Sequence, residues 1–215
     1  MAKAWKPANS QPRELPEEGR HIFRLRGIID LGTIKDAKFG NQKREVKALF
    51  ELVETNHVFD KEKGPQPFQL SKVFTFSMSE KSNMRKTWEQ WKGKKYTEEE
   101  LAKFDIWKWI GFPGECVVEH KLSKTGNKYA LINNVMPLSE AAKKTAPKLR
   151  NPKIEFFLED PETFGAWQLL GKFDKERIGQ SNERKLIKHL LDADAETDTS
   201  EPETADADQG EDAPY

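Results

Sequence analysis

The chain has a single cysteine, Cys116, so no intrachain disulfide can form and a reducing, intracellular compartment is expected. No apolar run approaches the length of a membrane span, and the opening stretch MAKAWKPANSQPRELPEEG lacks the apolar centre of a signal peptide. A soluble, cytosolic protein with no membrane partner is the expectation. The four histidines (His21, His57, His120 and His189) share no metal-ligand spacing. There is no phosphate-cradling GxxxxGK motif, and Cys116 falls in an expected buried strand without a nucleophile signature. DADQGED (206–212) places its glycine one position too early for a calcium loop and has no closing glutamate. Nothing repeats internally. These absences leave no seat for catalysis and predict neither metal nor cofactor.

Overall charge is also lacking, with 36 bases against 36 acids, but the balance is uneven along the chain. DADAETDTSEPETADADQGEDAPY (192–215) holds ten of the acids and no base, which leaves residues 1–191 at +10. A basic body that meets polyanions, joined to a solvated acidic arm, follows from that division. The tail has almost no apolar content and is expected to be disordered, with a reach of about 25–30 Å. An arm of that length can return to its own domain and compete with phosphates for lysines.

The rest of the chain is organised by hydrophobic period. Residues 1–19, rich in Pro, Asn, Gln and Glu, read as a loose arm. In HIFRLRGIIDL (21–31), Phe23, Leu25, Ile29 and Leu31 share one parity, with Arg24 and Arg26 on the other face of a strand. EVKALFELVE (45–54) places Val46, Ala48, Phe50 and Leu52 inward, and FQLSKVFTFSM (68–78) supplies a third strand. The period then changes. Ser77 and Glu80 stand at capping-box spacing before Met84, Trp88 and Trp91, one face of a helix, and Thr97 and Glu100 repeat the signal before a second short helix. GECVVEHKLS and KYALINNVM are two more strands, joined by the turn KTGN.

The order β-β-β-α-β-β predicts a mainly β, α+β domain over 20–139. It is that of a five-stranded OB-fold Greek-key barrel with helices between strands 3 and 4, the competing reading being another small α+β domain. Residues 140–191 read as a basic, Pro-containing linker and an aromatic extension that packs on the barrel or on a neighbour, with ERKLIKHLL as a short amphipathic helix.

An OB barrel grips ligands across strands 2 and 3, between the 1–2 and 4–5 loops. The first of these regions carries Lys35, Lys38, Phe39, Lys43, Arg44 and Lys47; the second carries Lys121, Lys124, Lys128 and Tyr129; strand 3 carries Lys72, Phe74 and Phe76. Lysines mixed with rings suit single-stranded nucleic acid, where bases stack on rings at roughly 1–3 kcal/mol each and lysines follow the phosphates. Phe74 and Phe76 divide evenly between platform and core, whereas Phe39 in a polar loop favours binding. Trp88 and Trp91 favour packing, as do Trp107 and Trp109. Arg85 and Lys86 divide between a phosphate contact and a solvated helix face.

Three stretches carry a family resemblance: GRHIFRLRGIIDLGT, VFTFSMSEKSNMRKTWEQWKGKKYTEEELAKFDIWKWIG and YALINNVMPL, spanning about Leu15 to Leu138. Within the second, EKSNxRK, WxG and TxEEL occur together and in order. The chain thereby resembles the single-stranded DNA-binding proteins of tailed bacteriophages, the OB-fold group with a helical insert. IEFFLEDPETF resembles that family's less regular post-barrel region.

The resemblance implies a non-catalytic protein that coats single-stranded DNA during phage replication, recombination or repair in the cytoplasm of the bacterial host, with possible self-association on DNA. It also carries over basic character around Lys81, Arg85 and Lys86. The acidic tail resembles recruitment tails in which the last ring and carboxylate dock on replication proteins, which implies a partner-binding role for Asp212, Pro214 and Tyr215. A protein-interaction adaptor with an incidental basic surface is the alternative.

Overall fold

The computed structural model describes residues 14–35 and 40–198, apart from the side chains of Asp60 and of residues 196–198. β1 (Gly19–Lys35), β2 (Gln42–Asp60), β3 (Gly64–Thr75), α1 (Asn83–Lys92), α2 (Glu98–Ala102), β4 (Pro113–Leu122) and β5 (Lys128–Met136) follow one another in the expected order. The strands form an antiparallel path β3-β2-β1-β4-β5. Its two ends, β3 and β5, touch, so the sheet curls into a half-barrel.

The concave side is filled as the alternation on β2 requires: Val46, Ala48, Phe50 and Leu52 are all buried. α1 lays Met84, Trp88 and Trp91 over this core. Ring centroids of Trp91 and Phe23 lie 5.0 Å apart, and those of Trp88 and Phe74 5.4 Å apart. Each such pair contributes about 0.5–1.5 kcal/mol beyond its buried area. The cap of α1 differs from the sequence expectation. Ser77 accepts from Ser79 N in a local turn, and Ser82 caps the helix by accepting from Arg85 N at 3.3 Å. A serine two residues from a free N–H satisfies the turn first, so the helix starts five residues later. The second capping box forms as read, with Thr97 and Glu100 bonding each other's backbone N–H.

β1 departs from a single parity. Its pairing with β2 shifts between Leu25 and Gly27, an extra residue that turns the following side chains over. Phe23, Leu25 and Ile28 therefore enter the barrel core, while Ile29 and Leu31 enter a second core on the convex side. That second core was not visible as a unit in the sequence. It is completed by the C-terminal extension: α3 (Glu140–Thr145), β6 (Ile154–Phe156), a 3-10 segment Pro161–Leu169, α4 (Lys172–Gly179), a second 3-10 segment Asn182–Ile187 and α5 (Lys188–Asp198). Ile154, Phe156, Leu158, Trp167, Ile178 and Ile187 all bury against β1. β6 runs parallel to β1, with Ile154 opposite Gly27. A Cβ at Gly27 would collide with the Ile154 carbonyl, so only glycine lets the two backbones meet there.

Of the tail expected to be disordered, 192–215, the first seven residues are helical. Residues 192–198 continue α5, and Asp194 accepts from Trp167 Nε1 at 3.1 Å and pairs with Lys175 at 2.9 Å. Two fixed partners hold what an isolated acidic segment could not hold alone. Of the expected N-terminal arm, Pro16 is buried and its carbonyl lies 2.8 Å from His120 Nε2. Residues 1–13 and 199–215 lie outside the described residues.

Candidate nucleic-acid interface

The basic residues singled out from the sequence divide into two groups. On β2, Arg44 donates to Asp30 at 2.6 Å and to Glu159 at 2.9 Å, and its guanidinium sits 5.1 Å from the Phe157 ring centroid. The hydrogen bond to Asp30 pushes the Arg44 pKa further up. Asp30 is wholly buried and also accepts from Gly32 N and Leu158 N. Lys47 pairs with buried Asp174 at 2.8 Å, and Arg177 pairs with Glu45 at 2.5 Å. Wholly buried Glu51 accepts from the backbone of Arg150 and Asn151 and from the Asn151 amide.

The first-strand arginines belong to the same set of clips: Arg24 donates to the carbonyls of Ala146 and Pro147, and Arg26 to that of Pro152. Along β2 the convex face is thus occupied by the chain's own extension. Lys35 at the end of β1 is exposed and Lys43 is half-buried; Lys38 and Phe39 lie outside the described residues.

On β3, Phe74 is a core ring at 2% exposure, which settles its place on the packing side of the two readings. Phe76 is partly buried against the same core. Lys72 lies 5.6 Å from the Phe74 ring, and its partial burial lowers its pKa. On α1, Arg85 turns along the helix to Glu89 at 2.9 Å, a bond that holds the Glu89 carboxyl below its usual range. Lys81 and Lys86 are exposed. Trp107 and Trp109 are partly buried against the barrel core, the packing role expected of them.

The β4–β5 hairpin is different in kind. From His120 to Asn134 the chain carries no acidic residue. Lys121, Lys124 and Lys128 are all exposed, and Tyr129 is half-buried. The turn is held by Ser123 and Asn127, with Gly126 at φ +83° where a left-handed residue is needed. Register pairs Lys121 with Tyr129 and Leu122 with Lys128, so on each face a cation stands beside an apolar side chain. Leu122 is 72% exposed. Such a surface offers charge to phosphates and carbon to bases.

Two surfaces escaped the sequence reading. Beside α1, Lys86, Lys94, Lys95 and Gln90 face Asn134 and Met136 of β5 across an open groove of about 620 Å³. At the far end of β2, His57, Phe59 and Phe68 form a ring cluster with centroids 4.5–5.2 Å apart. The ring cluster had a local signal in HVFDKEKGPQPF; of the groove only Lys86 had been singled out, because Asn134 and Met136 lie far along the chain from α1.

Among the described residues no group of three or more His, Cys, Asp or Glu side chains could hold a metal ion, and no helix is long and apolar enough to cross a membrane. Burial pushes the Cys116 thiol up to about 12, far from reactive thiolate character. Asp212, Pro214 and Tyr215 lie outside the described residues. No family model matches the chain, and no curated protein sequence matches it significantly.

Proposed function

We propose that this protein binds single-stranded DNA without sequence preference and coats it, as a non-enzymatic factor in phage replication, recombination or repair inside the host cell. The observation that carries the reading is the end of the β4–β5 hairpin, His120 to Asn134, which has no acidic residue and sets exposed Lys121 and Lys128 beside Tyr129 and Leu122. The curled five-strand sheet with helices between β3 and β4 supports a closed OB barrel as its architecture. Lysines on the phosphates and a ring under a base make affinity strongly salt-dependent and indifferent to sequence.

The acids after Asp198 compete with DNA for these lysines, and Asp212, Pro214 and Tyr215 recruit replication partners once DNA has displaced the tail. Truncation should follow Asp198 and not Leu191, because Asp194 is a structural partner of Trp167 and Lys175.

The test is anisotropy of labelled oligo-dT, duplex and RNA at two salt concentrations. Oligo-dT should bind, more weakly at higher salt, and deletion of 199–215 should tighten it. Absence of binding at low salt would sink the proposal.

One observation favours a second reading, a protein-interaction adaptor. Val58 and Phe59 on the β2–β3 hairpin are 48% and 47% exposed, and Asp60, Lys61, Glu62 and Lys63 balance in charge beside them. An adaptor would show no salt-sensitive affinity for oligo-dT and a stable protein complex instead.

A further inference from the structure

We infer that the single strand runs from the β4–β5 hairpin along β5 into the groove beside α1, and does not cross β2. The inference rests on the DNA-binding reading and fixes the path of the ligand within it. Its first support is exclusion. The convex face of β2 is closed by Asp174 on Lys47, Arg177 on Glu45 and the 150–151 backbone on Glu51. A polyanion crossing there would have to displace bonded carboxylates from buried positions.

The second support is continuity. β5 begins at the hairpin, where Tyr129 stands opposite Lys121, and its Asn134 and Met136 line the groove. Six residues of strand separate Lys128 from Asn134, a span of about 20 Å. A strand of DNA on this line meets cations at both ends, with Tyr129, Leu131 and Asn133 between them, the Asn133 amide donating to Glu119.

The third support is charge. The groove carries Lys86, Lys94 and Lys95 against one carboxylate, Glu89. That carboxylate is committed to Arg85 and to Tyr96 N at 3.1 Å. Lys94 reaches Glu100 only at 4.0 Å from a side chain 70% exposed, a pairing that water and salt largely cancel. The groove is therefore positive, open, and flanked by Gln90 and Asn134, whose amides can both donate and accept. Phosphates of a single strand suit such a surface, lysines following the backbone charge.

The test compares Lys86/Lys94/Lys95→Gln with Lys144/Lys148/Lys153→Gln, which removes the same charge from exposed positions of the extension. Three lost phosphate contacts lower the salt slope on single strands by about 2, so the affinity change between 50 and 200 mM salt shrinks by roughly 15–20-fold. The extension variant should keep the wild-type slope. A second readout uses the inert Cys116: Gln90→Cys and Val73→Cys are each labelled with a fluorophore, and oligo-dT should perturb the first and not the second. Wild-type slope in the groove variant, or a response confined to position 73, overturns this path while leaving DNA binding intact. Failure of the wild-type protein to bind oligo-dT overturns the reading beneath it as well.

Discussion

Arg44 and Lys47 on β2 and Lys121, Lys124 and Lys128 on the β4–β5 hairpin look alike in the sequence, bases at regular places next to rings. In the fold they are opposites. The β2 pair faces Asp30, Glu159 and Asp174, so its charge is spent inside the molecule. The hairpin, His120 to Asn134, holds no acid, and its Lys121, Lys124 and Lys128 are exposed. The extension's carboxylates thus take up bases on one face, while the hairpin lysines stay at the exposed surface. A basic residue near a ring is therefore a weak sign of a binding site until its acidic neighbours in space are known.

The strongest way to break the comparison is to remove a carboxylate from the closed face. Asp30→Ala leaves the partly buried Arg44 without its main partner, and urea unfolding should show a loss of about 3 kcal/mol, the low end for breaking a buried pair. A loss below about 1 kcal/mol would mean that the extension is not clipped by these charges. Next in size, Gly27→Val forces β1 away from Ile154 and should cost about 1–3 kcal/mol, the usual penalty of overpacking. Hydrogen exchange should then speed up in 154–187 more than in β4 and β5; uniform loss of protection would contradict a separately docked extension.

A smaller effect concerns pH. Burial works to raise the Glu183 pKa, but its bonds to Thr33 N at 2.7 Å and Thr33 Oγ1 at 2.6 Å prevail and hold it low. A depressed carboxyl contributes stability above its unfolded pKa of about 4.3, and the contribution is lost as pH falls through the folded value. Glu183→Gln should therefore flatten the acid limb of the stability curve below about pH 4 and leave the relative dependence above pH 5 unchanged. An unaltered acid limb would remove Glu183 from the account.

Much of the fold was legible because its signals are local. Period-2 alternation located β2, the i, i+4, i+7 spacing of Met84, Trp88 and Trp91 located α1, and Thr97 with Glu100 located the start of α2. The hairpin lysines were legible for the same reason, since their neighbours are a few residues away. What failed to show depends on distant partners. The face swap in β1 is a matter of register with β2, and Lys47 meets Asp174 across 127 residues of chain. Phe74 could not be separated from a stacking platform until α1 brought Trp88 against it. The helix over 192–198 was missed because composition does not reveal that Trp167 and Lys175 bond Asp194.

The contrast between the closed and open faces is tested most directly by one salt titration of labelled oligo-dT against three proteins. These are the wild type, Lys121/Lys124/Lys128→Gln and Lys47→Gln, each first shown to be folded. The account predicts that the hairpin variant loses about 2 units of salt slope while Lys47→Gln keeps the wild-type slope. An unchanged hairpin slope, or a drop in slope for Lys47→Gln, would contradict it.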